Sequence, residues 1–508
     1  MRQRLEIPPG INSDDTAFKY PGTWHDCDQV RFWKGVPEVV GGWEAVTNTD
    51  LTGVARSVLM WMDNNSIPNI AAGLHNGLSV IQDSTVYDIT PTSGFTAGQI
   101  NGTGGSGYGT GTYSTGDYSE PSSAAFFPLV WSLSNYGESL IANPRGQTIF
   151  WWQNDTSTEA EELLNAPENV TYTLTTYTRQ IMAFGCNEEV SGTFNPMCIR
   201  FSASEDPTDW TTASDNLAGE VILEGSGRIV GAREVGEYIF IWTNNALFLG
   251  TFTGDSIQPW SFVKVGENCG LSGPNAAVIV SQTAYWFSSQ KRFMMCSVGG
   301  VPEVIYLTVG DEMAENVSYA QEDKIVAASI SKFNEIWWFY PDKRDDTLIE
   351  NSRYVSLSIA DGSASKGTIA RTAFSDTAPS ANLYPIGITY DGQVYYHEKG
   401  ASDNGRSRAW FIETSDFYID EEERCMMIKT MWPDFQRQTG PIWLTLKGLQ
   451  YPQSSPEVFT SLVMTPNTTK LDFRYSGRLI RMRLSGSSAP SDMRLGVPTF
   501  DVTPAGDR

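Results

Sequence analysis

Residues 227–252 read GRIVGAREVGEYIFIWTNNALFLGTF and contain three short apolar runs in succession. Two of these runs, at residues 238–242 and 246–252, flank the pair Asn244-Asn245. Aromatic and β-branched residues suit the pleated surface of a sheet, and asparagine tolerates the positive φ of a tight hairpin turn. The stretch therefore predicts antiparallel strands that are joined by short turns.

The same order of apolar run, turn and apolar run recurs along the chain. Its turns fall near residues 77, 146, 245, 290 and 391. The step between the third and fourth turns is about 45 residues, which is the spacing of β-propeller blades built from several short strands. We therefore predict an all-β fold, a β-propeller with an additional β-domain at the termini. A chain of several β-sandwich domains is the alternative.

Helical patterns are scarce, and the best candidate is residues 158–164, which end before Pro167. The predicted organisation has three parts: an N-terminal segment at 1–50, the propeller at 51–420 and a C-terminal β-domain at 421–508. These boundaries follow the change from recurrent hairpins to the differently charged C-terminal region.

A Gly-rich insertion at about 94–120 interrupts the predicted propeller and contains no Lys or Arg. It is expected to be an irregular surface loop, or a contact loop that a partner orders. In the second case three tyrosines are candidate interface anchors. These are Tyr108, Tyr113 and Tyr118.

The formal net charge of the chain is -24 at pH 7. Proteins that hold duplex DNA tightly neutralise its phosphates with Lys and Arg, so this acidity disfavours a tight nucleic-acid binder. It suits simple solubility. The first residues form no apolar stretch of the secretory type, and no run of about 18 apolar residues predicts a transmembrane helix.

Six cysteines are present, and no two of them form a Cys-x-x-Cys pair. A chain of this length does not need disulfides, so we predict thiols in a reducing compartment. His25 and Cys27 lie close in sequence, but a tetrahedral zinc site needs about four ligands, usually in two spaced pairs. No second pair is visible, and the sequence predicts no metal and no cofactor.

Candidate catalytic groups are few. The three histidines, His25, His75 and His397, lie far apart, and no Gly-x-Ser-x-Gly elbow accompanies them. Acidic pairs occur at 161–162 and 188–189, but glycosidase carboxylates come from separate elements across a cleft. We therefore predict that the chain is not an enzyme.

The C-terminal residues 466–508 hold seven basic and four acidic side chains, a net charge of +3 within an acidic chain. Arg481 and Arg483 alternate with apolar residues, so they share one face of a predicted strand. With Arg478 they are either a solvated face or a patch that meets an acidic neighbour. We treat these three arginines as candidate interface residues.

Residues 202–210, SASEDPTDW, follow a predicted strand. Asp206-Pro207 favours a tight turn, and Trp210 is expected to seal its apolar side. The segment loosely resembles the Asp-box hairpins of propeller sialidases, which are scaffold turns and imply no catalysis.

Taken together, the two ends and the middle of the chain resemble the tail nozzle or hub proteins of short-tailed bacteriophages. The segments that carry the resemblance are residues 7–11, 28–38 and 41–43, the strand and turn at 200–210, and residues 476–484, 493–496 and 503–506. The resemblance implies a β-propeller that assembles as a hexameric ring below the portal and adaptor. The ring would form the distal channel for DNA ejection.

The resemblance also implies partners and a location. A homo-hexamer would contact the adaptor or portal ring above and tail fibre or tip proteins at its rim. Duplex DNA would pass through without tight binding, which an acidic lumen favours. The protein would belong to the virion tail and assemble in the cytoplasm of the bacterial host. The alternative function is a peripheral tail fibre, a receptor-binding protein or a glycan-cleaving tailspike.

Overall fold

The computed structural model describes residues 2–102, 127–345, 349–376, 384–418, 425–449, 451, 454–455 and 457–506. Within these residues the chain is almost entirely β, with one α-helix and one 3-10 helix. Seven four-stranded antiparallel sheets follow one another around a central channel, so the predicted β-propeller is confirmed. A second β-domain is built from both chain ends.

The N-terminal strands are β1 (Arg2–Arg4), β2 (Trp24–Asp28), β3 (Val30–Trp33), β4 (Val36–Val39) and β5 (Trp43–Ala45). The first blade contains β6 (Ala55–Met62), β7 (Pro68–Leu74), β8 (Gly77–Gln82) and β9 (Thr85–Asp88). The second contains β10 (Trp131–Tyr136), β11 (Ser139–Pro144), β12 (Phe150–Trp152) and β13 (Glu161–Glu162). The third contains β14 (Tyr172–Thr175), β15 (Ile181–Asn187), β16 (Phe194–Phe201) and β17 (Gly219–Ile222).

The fourth blade contains β18 (Ile229–Val235), β19 (Tyr238–Thr243), β20 (Ala246–Phe252) and β21 (Trp260–Glu267). The fifth contains β22 (Ala277–Val280), β23 (Thr283–Phe287), β24 (Phe293–Ser297) and β25 (Glu303–Ile305). Helix α1 (Gly310–Asn316) and the 3-10 helix (Tyr319–Lys324) then lead to the sixth blade. This blade contains β26 (Val326–Ile330), β27 (Glu335–Pro341), β28 (Asn351–Ser358) and β29 (Ala364–Gly367).

The seventh blade joins distant parts of the chain. It contains β30 (Ala373–Ser375), β31 (Ile386–Ile388) and β32 (Val394–His397), and its outermost strand is β5 from the N-terminal region. Trp43 pairs with His397 in this sheet. One blade therefore takes strands from both ends of the propeller sequence, which closes the ring.

The terminal domain takes the remaining strands. They are β33 (Trp410–Thr414), β34 (Phe417–Tyr418), β35 (Cys425–Trp432), β36 (Phe435–Thr439), β37 (Ile442–Leu449), β38 (Glu457–Met464), β39 (Leu471–Gly477), β40 (Leu479–Gly486), β41 (Asp492–Leu495) and β42 (Thr499–Gly506). They pair with β1 to β4 in three sheets, of which the largest has the order β2-β33-β40-β37-β38. By sheet pairing, β5 belongs to the propeller although it lies before the predicted boundary at 51. In the same way, β33 belongs to the terminal domain although it lies before the predicted boundary at 420.

The predicted hairpin turns occur where the sequence placed them. Asn244 and Asn245 connect β19 to β20, and Gly392, at φ +83°, lies in the turn between β31 and β32. The helix predicted at 158–164 is wrong. Glu161 and Glu162 form β13, which pairs with Trp151 and Phe150 of β12. Ala160 and Leu163 on either side are buried, so tertiary packing overrides the local helical preference.

Large aromatic side chains fill the interior. Trp242 and Trp286 of neighbouring blades are fully buried, with ring centroids 5.6 Å apart. One apolar cluster continues from these blades into the terminal domain, where it includes Ile480 and Leu484 of β40. Aromatic burial of this kind supplies the main stabilisation of a propeller.

Candidate assembly surface and propeller channel

Strands β33, β40, β37 and β38 lie side by side in the largest sheet of the terminal domain. Side chains alternate along each strand, and one set, including Leu444 and Leu484, is buried in the core. The other set faces outward and forms a surface that we call the arginine face. Its members are Phe411, Glu413, Trp443, Lys447, Val463, Arg481 and Arg483.

Two of the three candidate arginines hold carboxylates of their own chain. Arg481 donates from Nε and Nη2 to the two oxygens of Asp416, both at 2.7 Å. Its Nη1 also donates to Glu413 Oε1 at 3.3 Å. Arg483 Nη1 donates to Glu413 Oε2 at 3.3 Å, and Lys447 Nζ donates to the same oxygen at 2.7 Å.

Glu413 is the centre of this network and is 5% exposed. Burial alone would raise the pKa of its carboxyl, but the hydrogen bond and charge of Lys447, with the charges of Arg481 and Arg483, hold that pKa below its usual value. The pKa of Arg481 is raised, chiefly by its hydrogen bonds to Asp416. Three cations and two carboxylates meet here, which leaves a local charge of +1.

Apolar groups accompany the arginine face. The Arg483 guanidinium stacks 3.5 Å above the ring of Phe411, and Trp443 is 43% exposed beside its cross-strand neighbour Val463. Val458 and Tyr451, on and before β38, are exposed as well. An exposed aromatic next to a stacked arginine has the composition that protein interfaces favour.

The other candidate interface residues fall elsewhere. Arg478 is half-buried and directly precedes β40. Tyr108, Tyr113 and Tyr118 lie outside the described residues. Reasoning from sequence missed Glu413 and Asp416 as partners of the arginines. Glu413 lies in β33 and Asp416 directly after it, about 70 residues before the arginines, and only the pairing of β33 with β40 reveals the contact.

The propeller has its own central channel, a cavity of about 450 Å³ lined by the first strand of every blade. Arg233 of the fourth blade links that blade to both neighbouring blades, donating to Pro274 O at 3.0 Å and Ala277 O at 3.2 Å on the side of the fifth blade and to the Tyr172 hydroxyl of the third. Glu234 and Asp376 also line the cavity, as does Arg56. Acidic and basic groups are therefore equal in number among the charged lining residues.

Contacts between blades that are not neighbours in the ring cross the channel. Asn275, which precedes the fifth blade, donates from Nδ2 to the Arg56 carbonyl of the first blade at 3.0 Å. Arg56 is ion-paired with Glu350, which also binds Lys324 at 2.7 Å, and all three are buried. Gln321 holds both backbone groups of Gly102 at 2.9 and 2.6 Å. These contacts span the channel axis.

The histidines have structural contacts. His25 Nδ1 donates to Asn12 O at 2.8 Å, and His75 Nδ1 accepts the Val54 N–H at 3.0 Å. Burial lowers the pKa of His75, and it holds the pKa of the fully buried His397 far below its usual value. No group of three or more potential metal ligands occurs in the described part of the chain.

The turn at 202–210 is a scaffold turn, as its sequence predicted. Asp206 Oδ1 accepts hydrogen bonds from the Thr208 backbone at 2.9 Å and from its hydroxyl at 2.7 Å. The buried Trp210 indole donates to Pro207 O at 2.8 Å. Asp206 and Trp210 therefore hold the turn.

The cysteines are free thiols, and all except the half-buried Cys425 are buried. Burial raises the pKa of Cys27 to about 12, and it raises the pKa of Cys269 and Cys296 to about 11. Cys186 and Cys198 lie on neighbouring strands with sulfurs 3.9 Å apart.

Among the described residues, no helix has the length and apolar character needed to cross a membrane.

Comparison with known proteins finds only distant structural similarity. No protein-family model and no curated protein matches the chain. The WD40 β-propeller domain of Doa1 is 10% identical, with a TM-score of 0.42, and the match covers 71% of this chain and 100% of that one. YCF48 bound to D1 peptide is 9% identical, with a TM-score of 0.38, over 70% of this chain and 97% of that one. The designed protein Ika8 is 12% identical, with a TM-score of 0.38, over 70% of this chain and 100% of that one.

Proposed function

We propose that this chain is a structural protein of a bacteriophage virion, a subunit of the nozzle or hub ring of a short-tailed phage. The observation that carries the proposal is the arginine face. There an exposed Trp443 and Val463 lie beside Arg483, which shares the Glu413 carboxylate with Lys447 and Arg481, so the group keeps one surplus positive charge. A surface of this kind can be buried against an acidic surface of a second subunit.

Charge favours this surface over the rest of the molecule for subunit contact. Each copy adds a formal charge of -24 to a ring, so contacts between bulk acidic surfaces are repulsive. The arginine face has a local charge of +1 and therefore meets a neighbouring acidic surface favourably. Closed rings arise when such a contact between two different surfaces repeats around an axis.

The route for DNA in this proposal lies between subunits. The propeller channel holds about 450 Å³ and is crossed by the contacts of Arg56 with Asn275 and Glu350. Duplex DNA is far larger, since its major groove alone is about 12 Å wide. The lumen would therefore be the axis of a ring of copies, and each propeller would be part of the wall.

Counting copies tests the proposal directly. Quantitative mass spectrometry of purified virions that carry this protein is expected to give six copies per particle, with electron microscopy placing them in a ring at the distal tail. A single copy, or three copies in elongated peripheral appendages, would contradict it and favour the fibre alternative. Release of sugar from host capsule by the purified chain would favour the tailspike alternative.

The surface itself can be tested by substitution in the full chain. Trp443→Ser is expected to reduce incorporation into tails at least about tenfold, because interface aromatics carry much of the binding energy. Tyr306→Ser is the matched control, since Tyr306 is 91% exposed beside the outermost strand of the fifth blade. Equal incorporation of both variants would exclude the arginine face as the ring contact.

A further inference from the structure

A second cavity lies where the seventh blade meets the terminal domain. It has a volume of about 380 Å³ and is lined by residues of both, including Gln29 before β3, Arg371 before β30 and Arg408 before β33. Cavities of this size, at the boundary between two structural units, are where small ligands bind in most proteins. We call it the blade 7 pocket.

Arg371 is buried in this pocket without an acidic partner. It is 4% exposed, and its Nε–H donates to the neutral His397 at Nε2, at 2.7 Å. Its Nη1 donates to Ala370 O at 2.6 Å. Its Nη2 is buried and has no acceptor within the described part of the chain. The guanidinium lies 4.9 Å from the Trp43 ring and 5.3 Å from the Tyr395 ring.

Two more lining residues have an unused polar atom. Arg408 donates from Nη1 and Nη2 to the carbonyls of Gly41 and Val40, at 2.7 and 2.5 Å, which leaves Nε without an acceptor among the described residues. Gln29 donates from Nε2 to Thr368 O at 3.1 Å, which leaves Oε1 without a donor there. Both side chains are more than nine-tenths buried.

The backbone at Gln29 is also unusual. Its φ of +55° lies in the left-handed region, which side chains other than glycine and asparagine rarely adopt. Gln29 lines the same cavity as Arg371 and Arg408.

Unpaired polar atoms of this kind identify the chemistry of a ligand. A buried guanidinium is costly unless an anion or a set of acceptors compensates it, and Arg recognises oxyanions such as carboxylate and phosphate. Gln29 Oε1 requires a hydrogen-bond donor, which a simple carboxylate such as acetate does not carry. Asp391 and Asp403 also line the pocket and would repel a simple anion, but they accept hydrogen bonds from hydroxyl groups.

We propose that the blade 7 pocket binds a sugar acid, with its carboxylate at Arg371 and Arg408 and its hydroxyls at Gln29 and the two aspartates. A simple carboxylate lacks a donor for Gln29 Oε1, and a neutral sugar lacks the charge that the arginines require. Sugar acids supply both. This site is independent of the proposed ring contact, because it lies on the propeller side of the terminal domain and shares no residue with the arginine face.

Calorimetry on the full chain with four probes tests the assignment. Sodium glucuronate is expected to bind with a Kd at or below the millimolar range, at least about tenfold more tightly than acetate, glucose or inorganic phosphate, because hydrogen bonds to charged groups are the strong ones. Equal binding of acetate or phosphate would reduce the pocket to an anion site and overturn the sugar assignment. Equal binding of glucose, or no binding of glucuronate, would overturn it as well.

Substitution locates the site. Arg371→Met is expected to weaken glucuronate binding at least about tenfold, and Gln29→Leu to weaken it several-fold. Arg200→Met is the matched control. Arg200 is a buried arginine of the third blade that donates from Nη2 to Trp210 O at 3.0 Å, far from this pocket. If circular dichroism shows that Arg371→Met does not fold, the binding of glucuronate to Gln29→Leu decides the question. Unchanged binding in Gln29→Leu would then refute the proposal.

Discussion

Arg31 and Glu398 form a two-pronged ion pair in the interior of the molecule. Nη1 of the arginine donates to one carboxylate oxygen at 2.9 Å, and Nη2 donates to the other at 2.6 Å. Arg31 Nε also lies 3.1 Å from Glu335 Oε1. Arg31 belongs to β3, Glu335 begins β27 and Glu398 directly follows β32, so one guanidinium ties the terminal domain to the sixth and seventh blades.

Removal of this guanidinium should therefore damage the whole fold. Arg31→Met is expected to lower the free energy of unfolding by about 3–5 kcal/mol, because it leaves two buried carboxylates without their cation. Urea denaturation followed by tryptophan fluorescence measures the change. Arg4→Met serves as the control, since Arg4 pairs with Glu6 at the exposed surface, and it should cost at most about 1 kcal/mol. A similar small loss in Arg31→Met would show that the pair does not hold the domains together.

Glu322 predicts a pH dependence of stability. Burial raises the pKa of its carboxyl to about 7, from an ordinary value of 4.5. A carboxyl with a raised pKa in the folded state binds its proton more tightly there, so its stabilising contribution is full below about pH 4.5 and is lost as the pH rises to 7. Glu322→Gln should therefore be more stable than the parent at pH 8, by about 1–2 kcal/mol after allowance for solvent screening. The two proteins should be alike at pH 4, and thermal unfolding across this range measures the difference.

Two glycines allow the energetic cost of backbone strain to be measured separately from the cost of steric overlap. Gly392 has a φ of +83°, and a Cβ there would overlap the Leu51 carbonyl oxygen, whereas Gly146 has a φ of +77° and open space around it. Gly146→Ala is expected to cost about 1 kcal/mol from conformation alone. Gly392→Ala should cost about 1–3 kcal/mol more, because the turn that packs on Leu51 must move. If both variants lose the same free energy of unfolding in urea denaturation, the overlap with the Leu51 carbonyl at position 392 would be contradicted.

Thiol reactivity reports the burial of the cysteines. In the native protein we expect one thiol, Cys425, to react quickly with an aromatic disulfide reagent, because it alone is partly exposed. Cys27, whose pKa is raised to about 12, should react only after unfolding. Fast reaction of several thiols before denaturant is added would show that the blades open readily.

The local features of the fold were predictable because they depend on neighbouring residues. Alternation of Ile480, Met482 and Leu484 with the arginines predicted the face of β40, and Asp391-Gly392 predicted a hairpin turn. The long-range pairings were not predictable. Closure of the seventh blade by Trp43 and the contact of Arg31 with Glu398 join residues more than 350 positions apart. Periodicity carries no information on such pairs.

The blade 7 pocket escaped sequence reasoning for the same reason. Gln29, Arg371 and Arg408 are single residues in three distant segments, with no shared motif. The signal that identifies them is a property of the folded state, namely polar atoms that are buried without a partner. The channel was predictable only as part of a propeller, and the contact of Asn275 across it with the first blade was not predictable.

The arginine face allows folding to be separated from assembly. Arg481 is held by both oxygens of Asp416, so Arg481→Glu would place a third carboxylate beside Glu413 and Asp416. We expect this variant to lose about 3–5 kcal/mol of stability, so a loss of assembly after charge reversal at Arg481 would reflect misfolding as well as any lost contact. Arg483→Gln is the sharper change, because Lys447 and Arg481 remain to neutralise Glu413.

Arg483→Gln should lower the melting temperature little, since its side chain is 33% exposed and its bond to Glu413 is long at 3.3 Å. If the face is a subunit contact, the variant should enter tails several-fold less efficiently than the parent at low salt, where charge complementarity is strongest. Competition between tagged parent and variant during tail assembly measures this ratio. A ratio of one, with melting temperatures unchanged, would mean that Arg483 only covers Phe411 and that the ring contact lies on another surface.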